Sequence, residues 1–129
     1  MSSGEVPDDR RYTEDHEWAQ AADDGIRIGI TDYAQDALGD VVFVKLPEVG
    51  TDVGAKETFS EVESTKSVSE IYAPVAGAIV AVNGQLADDP GLLNADPYGS
   101  GWICVLRPQD ATAHEDLLDA DAYRALISE

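Results

Sequence analysis

Glu61-Val-Glu-Ser-Thr-Lys66-Ser-Val-Ser-Glu70 is the stretch that organises the chain. Apolar and polar residues alternate on either side of a short polar centre. That is the pattern of two strand ends joined by a tight turn, with one lysine at the tip. The chain has only three lysines, Lys45, Lys56 and Lys66, within a net charge of -18. A lysine kept at such a tip is either an incidental surface charge or a point of covalent attachment, because its ammonium is flexible and open to modification.

The segments upstream of the tip continue the strand pattern. Tyr12, His16 and Trp18 fall at even spacing, which predicts a strand with one aromatic face. Ala21-Ala-Asp-Asp-Gly25 is a turn, and Ile26-Arg-Ile-Gly-Ile30 alternates as a half-buried strand, so the two strands are expected to form a hairpin. Thr31 or Asp32 can cap a short helix that Gly39 ends. Val41-Val-Phe-Val-Lys-Leu46 is β-branched and apolar, which predicts a buried strand.

Downstream of the tip, Ala78-Ile-Val-Ala-Val82 and Trp102-Ile-Cys-Val-Leu-Arg107 read as strands, with Leu86 to Leu93 as a loop between them. Thr112-Ala-His-Glu115 fits a capping box, and Asp119 or Asp121 can start a further helix through Tyr123, Leu126 and Ile127. Short strands with frequent turns predict a mainly β fold, a sandwich with a short helix after the N-terminal hairpin and helices at the C-terminal end. One domain over residues 11–129 is expected, with a core over about 25–107 and a helical segment over about 112–128. Residues 1–10 read as a loose tail.

Composition narrows the function. Twenty-six Asp and Glu against eight Lys and Arg argue against nucleic acid and against anionic membrane surfaces. The balance suits a salty interior, where screening weakens self-repulsion. No apolar run reaches the ~20 residues of a membrane helix. The acidic N-terminal stretch has neither a signal peptide's apolar core nor a transit peptide's arginines, so a cytoplasmic location is expected. The single cysteine, Cys104, lies in an apolar run and reads as a buried structural thiol. His16 reads as a satisfied structural histidine and His114 as a surface residue. No zinc spacing, phosphate loop or nucleophile triad is present, so no metal and no catalytic residue are expected.

Several motifs together resemble a known family. They are Tyr12-Thr-Glu-Asp-His-Glu-Trp18, Gly29-Ile-Thr-Asp-Tyr-Ala-Gln-Asp-Ala-Leu-Gly-Asp-Val-Val-Phe-Val44, Leu46-Pro-Glu-Val-Gly50, Ala73-Pro-Val-Ala-Gly77 and Asn94-Ala-Asp-Pro-Tyr-Gly-Ser-Gly-Trp102, around the Lys66 stretch. In that order and spacing the chain resembles the H proteins of the glycine cleavage system, which carry a lipoyl group on a lipoyl/biotinyl-carrier-like sandwich (a barrel-sandwich hybrid).

The resemblance implies that Lys66 is acylated by lipoic acid and that the chain is a carrier rather than an enzyme. The arm would take the aminomethyl group of glycine from the pyridoxal-phosphate-dependent glycine decarboxylase (P protein). It would pass it to the aminomethyltransferase (T protein), which uses tetrahydrofolate. Reoxidation would fall to dihydrolipoamide dehydrogenase (L protein) with FAD and NAD. A lipoate ligase or lipoyltransferase would install the arm, with Glu61 and Glu63 as recognition residues for it or for partners. Asp15, Glu17, Asp36, Ala37 and Glu70 match positions of a cleft that shelters the loaded arm. Many relatives carry histidine where this chain has Ala37. Rival readings are an H-like protein that relays lipoyl groups, or a lipoyl or biotinyl domain of another complex. Thr65-Lys66-Ser67 at the tip, with no flanking methionine, sets the chain apart from the last two.

Overall fold

The computed structural model describes residues 6–23, 25–110 and 112–128. Alternating apolar residues pair off into two antiparallel sheets. The larger sheet has six strands, in the order β1 (Arg11–Tyr12), β2 (Glu17–Ala22), β3 (Gly25–Ile30), β9 (Cys104–Pro108), β8 (Gly77–Val82) and β5 (Asp52–Val53). The smaller has three, β4 (Val41–Lys45), β6 (Thr58–Ser64) and β7 (Val68–Tyr72). The inward residues of both sheets share one core. Ile26, Ile28 and Ile30 of β3 meet Val44, Val62 and Ile71 of the small sheet, with Ile79 and Leu106 beside them. Such a face-to-face arrangement is the expected sandwich.

Four helices complete the described residues: α1 (Asp32–Leu38), α2 (Gln85–Asp88), α3 (Leu92–Ala95) and α4 (Ala120–Ile127). Thr31 caps α1, its hydroxyl accepting from the Ala34 N–H at 3.2 Å. Gly39 ends that helix at φ 82, a left-handed conformation that glycine adopts without a Cβ penalty. Asp119 caps α4 through the Ala122 N–H at 2.8 Å.

The structure departs from the sequence reading in five places. The even spacing of Tyr12, His16 and Trp18 is not one strand. His16 sits at φ 71 in a turn, and the chain doubles back so that Tyr12 and Trp18 become cross-strand partners. The strand over 41–45 lies at an edge, not in the interior, and Val42 and Phe43 are about half exposed, 53% and 49%, around a bulge. The expected loop over Leu86 to Leu93 contains α2 and α3, each held by one buried leucine, Leu86 or Leu93. The capping box at Thr112 does not form. Its hydroxyl donates to the Asp110 carboxylate at 2.9 Å, a charged acceptor two residues away, and a 3-10 turn follows over Ala113–Asp116.

The fifth departure concerns the N-terminal segment. Residues 1–5 lie outside the described residues, but residues 6–10 are packed, not loose. Val6 is buried with Tyr12, Trp18, Ala120 and Tyr123 in a second cluster beneath α4. Arg10 places its guanidinium over the rings of Trp18 and Tyr98, at 4.6 and 5.2 Å. Arg124 of α4 donates to the Val6 carbonyl at 2.7 Å and to Asp8 at 2.9 Å. This strap therefore holds α4 against the larger sheet. Cys104 is fully buried, and burial pushes its thiol up to about 12, as expected of an inert structural cysteine.

Candidate functional site

Lys66 stands at the turn between β6 and β7. The hydroxyl of Ser64 organises that turn, accepting from the backbone N–H of Lys66 and of Ser67, both at 3.1 Å. The Ser64 N–H closes the hairpin on the Ser67 carbonyl at 2.8 Å. Serine does this because its short side chain reaches backbone groups two and three residues on. The lysine is exposed and makes no ion pair among the described residues.

The tip is tied to the ground beneath it. Thr65 N–H donates to the Asp40 carbonyl at 3.0 Å. The Lys66 side chain lies across Gly39, where a Cβ would come within 3.1 Å of Lys66 Cε. Asn94 of α3 holds this crossing in place. Its amide donates to the Gly39 carbonyl at 2.9 Å and to Gln35 at 3.0 Å, while its oxygen accepts from Val41 N–H at 2.9 Å. One side chain thus joins α1, α3 and β4 below the lysine.

A cleft of about 240 Å³ opens beside the tip. Asp15 and His16 of the β1–β2 turn form one wall, and Tyr33, Ala34, Ala37 and Leu38 of α1 form another. Ser67, Val68, Ser69 and Ile71, running down from the lysine, make the third, with Ile30 among the lining residues. In that lining Ile30 and Ile71 are buried, while Asp15, Tyr33, Ala37, Ser67 and Val68 are exposed. Asp15 supplies a carboxylate there. Lys56, at φ 72, approaches it at 3.9 Å, a loose and exposed pair of little energetic weight. Among the described residues no group of three or more His, Cys, Asp or Glu is placed to hold a metal, and no helix is long and apolar enough to cross a membrane.

A sequence profile described as "Glycine cleavage H-protein" matches residues 10–129. The chain belongs to the glycine cleavage H-protein family. A glycine cleavage system H protein of Mycolicibacterium smegmatis is 57% identical over 129 residues, covering 97% of this chain and 98% of that relative. A probable glycine cleavage system H protein of Haloarcula marismortui is 54% identical over 125 residues, at 97% and 98% coverage. The crystal structure of an H protein from Mycobacterium marinum superimposes with a TM-score of 0.87 at 47% identity, over 96% of this chain and 100% of that one. As a member of this family the chain is the lipoyl carrier of the glycine cleavage system, on the sandwich fold expected for it.

Within this chain the residues expected at the cleft separate into two groups. Asp15 and Ala37 line it; Glu17, Asp36 and Glu70 do not. Glu70 lies between the inward Ser69 and Ile71 of β7, so strand alternation turns it outward, where it accepts from the Thr58 hydroxyl at 2.7 Å. Glu61 is its cross-strand partner, and Glu63 pairs with Val68. Asp36 is on the exposed side of α1.

Glu17 is almost completely buried between the sheets. It accepts from the Thr13 hydroxyl at 2.8 Å and from Tyr72 N–H at 3.0 Å. Burial outweighs these bonds and raises its carboxyl to about 7. Residues at the cleft that the sequence left unassigned include His16, Tyr33, Ser67, Val68, Ser69 and Ile71. The alternation of β7 was a signal for Ser69 and Ile71. No local signal marks His16 or Tyr33.

Proposed function

We propose that Lys66 carries the lipoyl group as an amide on its Nζ and that the cleft beside it docks the arm. The observation that carries this reading is the lysine's position, exposed and unpaired on an organised turn, with the next residue, Ser67, already on the cleft wall. The fit is chemical as well as spatial. An acylated lysine loses its charge, and the apolar floor of Ile30, Leu38 and Ile71 suits a long aliphatic chain.

When bound, the group supplies a dithiolane that takes up the aminomethyl unit of glycine and gives it up to a folate-dependent transferase. Every other task falls to this chain. The Ser64 turn holds the attachment point away from the sheets. The cleft excludes water from whatever lies in it, and Asp15 at the mouth attracts a cationic end group. The chain is a non-catalytic carrier in this reading. Its partners are glycine decarboxylase, aminomethyltransferase, dihydrolipoamide dehydrogenase and the ligase or transferase that installs the arm. Glu61 and Glu63, on the outward face of the hairpin, are the surface that the installing enzyme reads.

Intact mass of the protein taken from its own cells tests the attachment. A lipoyl increment that maps to the peptide containing Lys66 is expected. Its absence, or its location at Lys45 or Lys56, overturns the reading.

A further inference from the structure

Tyr123 is fully buried on α4, yet its hydroxyl meets a side chain of one cleft wall and the cap of the helix that forms another. It lies 2.8 Å from His16 Nδ1 and 2.8 Å from Thr31 Oγ1. Its ring is fixed by stacking on Tyr12, with centroids 4.7 Å apart and planes 12° apart. His16 belongs to the turn wall. Thr31 caps α1, the helical wall. One hydroxyl on the last helix therefore spans both walls, and the strap of residues 6–10 holds that helix in place.

Hydrogen-bond satisfaction gives this chain of groups a direction. Thr31 is fully buried, and its oxygen already receives the Ala34 N–H. Its hydroxyl proton needs an acceptor, and Tyr123 Oη is the one within reach among the described residues. Tyr123 then gives its own proton to His16 Nδ1. The opposite direction leaves the Thr31 proton buried without a partner. His16 Nδ1 is thus bare and Nε2 carries the hydrogen. Nε2 has no hydrogen-bond partner among the described residues. It is also absent from the buried atoms that lack one, so it is open on a ring that lines the cleft. Asp15 beside it, Tyr33 from α1 at 4.7 Å and Tyr123 from α4 are the titratable groups that face the ring. Burial holds His16 below its usual range, which keeps the ring neutral.

We propose that Tyr123 and Thr31 lock His16 in its Nε2–H tautomer, so that His16 offers an N–H donor to a hydrogen-bond acceptor of the chain docked in the cleft, the amide carbonyl of the Lys66 arm. Only the identity of that occupant rests on the carrier reading. Tyr123 is a positioning residue here, acting through His16.

Imidazole nitrogen resonances of the full-length protein read the tautomer directly, with His114→Gln assigning the two histidines. A roughly tenfold or greater excess of the Nε2–H form at neutral pH is expected, the ratio that one unsatisfied buried hydrogen bond sets. An Nδ1–H form in the parent protein overturns the proposal without any need for a variant. Tyr123→Phe keeps the stacked ring and removes the hydroxyl. Loss of the tautomer bias and a changed His16 titration are expected, and an unchanged bias overturns the lock. Lipoylated and unmodified parent, verified by mass, complete the test. A shift of the His16 Nε2 resonance on lipoylation supports docking against it. An unmoved resonance in a chain that does carry the lipoyl mass overturns the donor role and leaves the carrier reading standing. A chain without that mass overturns the carrier reading instead.

Discussion

Glu17 on β2 receives the backbone N–H of Tyr72 on β7 at 3.0 Å, so one buried carboxyl group bridges the larger sheet and the smaller one. Its second oxygen is taken by the Thr13 hydroxyl at 2.8 Å. The two bonds hold the β1–β2 turn, and with it Asp15 and His16, against the hairpin that ends in Lys66. The cleft lies between those two parts.

The bridge makes stability depend on pH. Burial raises the folded pKa of Glu17 from 4.5 to about 7. The folded chain therefore binds the extra proton across that window, and stability falls as pH rises through it. The contribution is fully present below pH 4.5 and lost above pH 7. One pKa unit is worth about 1.4 kcal/mol, so the whole window amounts to about 3 kcal/mol. Glu17→Gln mimics the neutral form. It should flatten the pH dependence and leave the variant more stable than the parent above pH 7. Denaturant melts across the window check this, and parallel pH curves for the two proteins refute it.

Gly29 faces Trp18 with no room for a side chain. A Cβ there would lie 2.7 Å from the indole ring, which is fully buried and anchored by its N–H to the Pro97 carbonyl at 2.9 Å. The ring cannot retreat. Gly29→Ala should destabilise the fold by about 1–3 kcal/mol, the range for overpacking a filled core. A shift of the unfolding midpoint without a change in slope measures it.

Asn94 makes three bonds to α1, the following glycine and β4. Asn94→Ala leaves Val41 N–H and the Gly39 carbonyl without these partners, a loss of about 1–3 kcal/mol. The more telling effect should be local. Amide exchange at Thr65 and Lys66 should speed up along with Val41, because the Asp40 carbonyl that holds Thr65 sits between the two ends of the broken network. Equal exchange at the tip in both proteins would show that the hairpin stands without Asn94.

The parts legible in the sequence were those set by local rules. The alternation of β3, β6 and β7 and the caps at Thr31 and Asp119 follow from spacing and side-chain type, and the structure holds them where expected. The cleft was legible only in part because it is assembled from distant pieces. Tyr123 reaches His16 across 107 positions of sequence, and no local pattern records that bond. The resemblance puts Glu17 at the cleft, and no local pattern does. The left-handed turn at His16 breaks the strand before Glu17, whose carboxyl group is buried against Thr13 and Tyr72, a placement that spacing along the sequence does not record. Short α2 and α3 lack the length for a periodic signal, and tertiary packing of Leu86 and Leu93 decides them.

Lys66→Arg keeps the positive charge but offers no amine for an amide bond to lipoate. The side chain is exposed and unpaired, so stability should stay within about 0.5 kcal/mol of the parent. The lipoyl mass increment should vanish, and with it glycine cleavage reconstituted from the three partner enzymes. Retained turnover by this variant would remove the carrier role from Lys66, since neither Lys45 nor Lys56 stands on that turn.

Salt should stabilise this protein. Its net charge is -18, and the four ion pairs among the described residues all have exposed carboxylate partners, so they offset little of the repulsion. The hairpin below Lys66 adds a local example. Glu61 and Glu70 sit directly opposite each other across β6 and β7, a like-charge pairing that weakens a sheet, with Lys45 on the far side of Glu61. Raising ionic strength from about 0.01 to about 1 M shortens the screening length from ~30 to ~3 Å, so repulsion among exposed acids should collapse while buried contacts keep their strength. Melting temperature should therefore climb with a simple chloride salt. Glu61→Gln should raise it at low salt and lose that advantage at high salt. A melting temperature indifferent to chloride would mean that the acids are too far apart, or too well hydrated, for their repulsion to bear on folding.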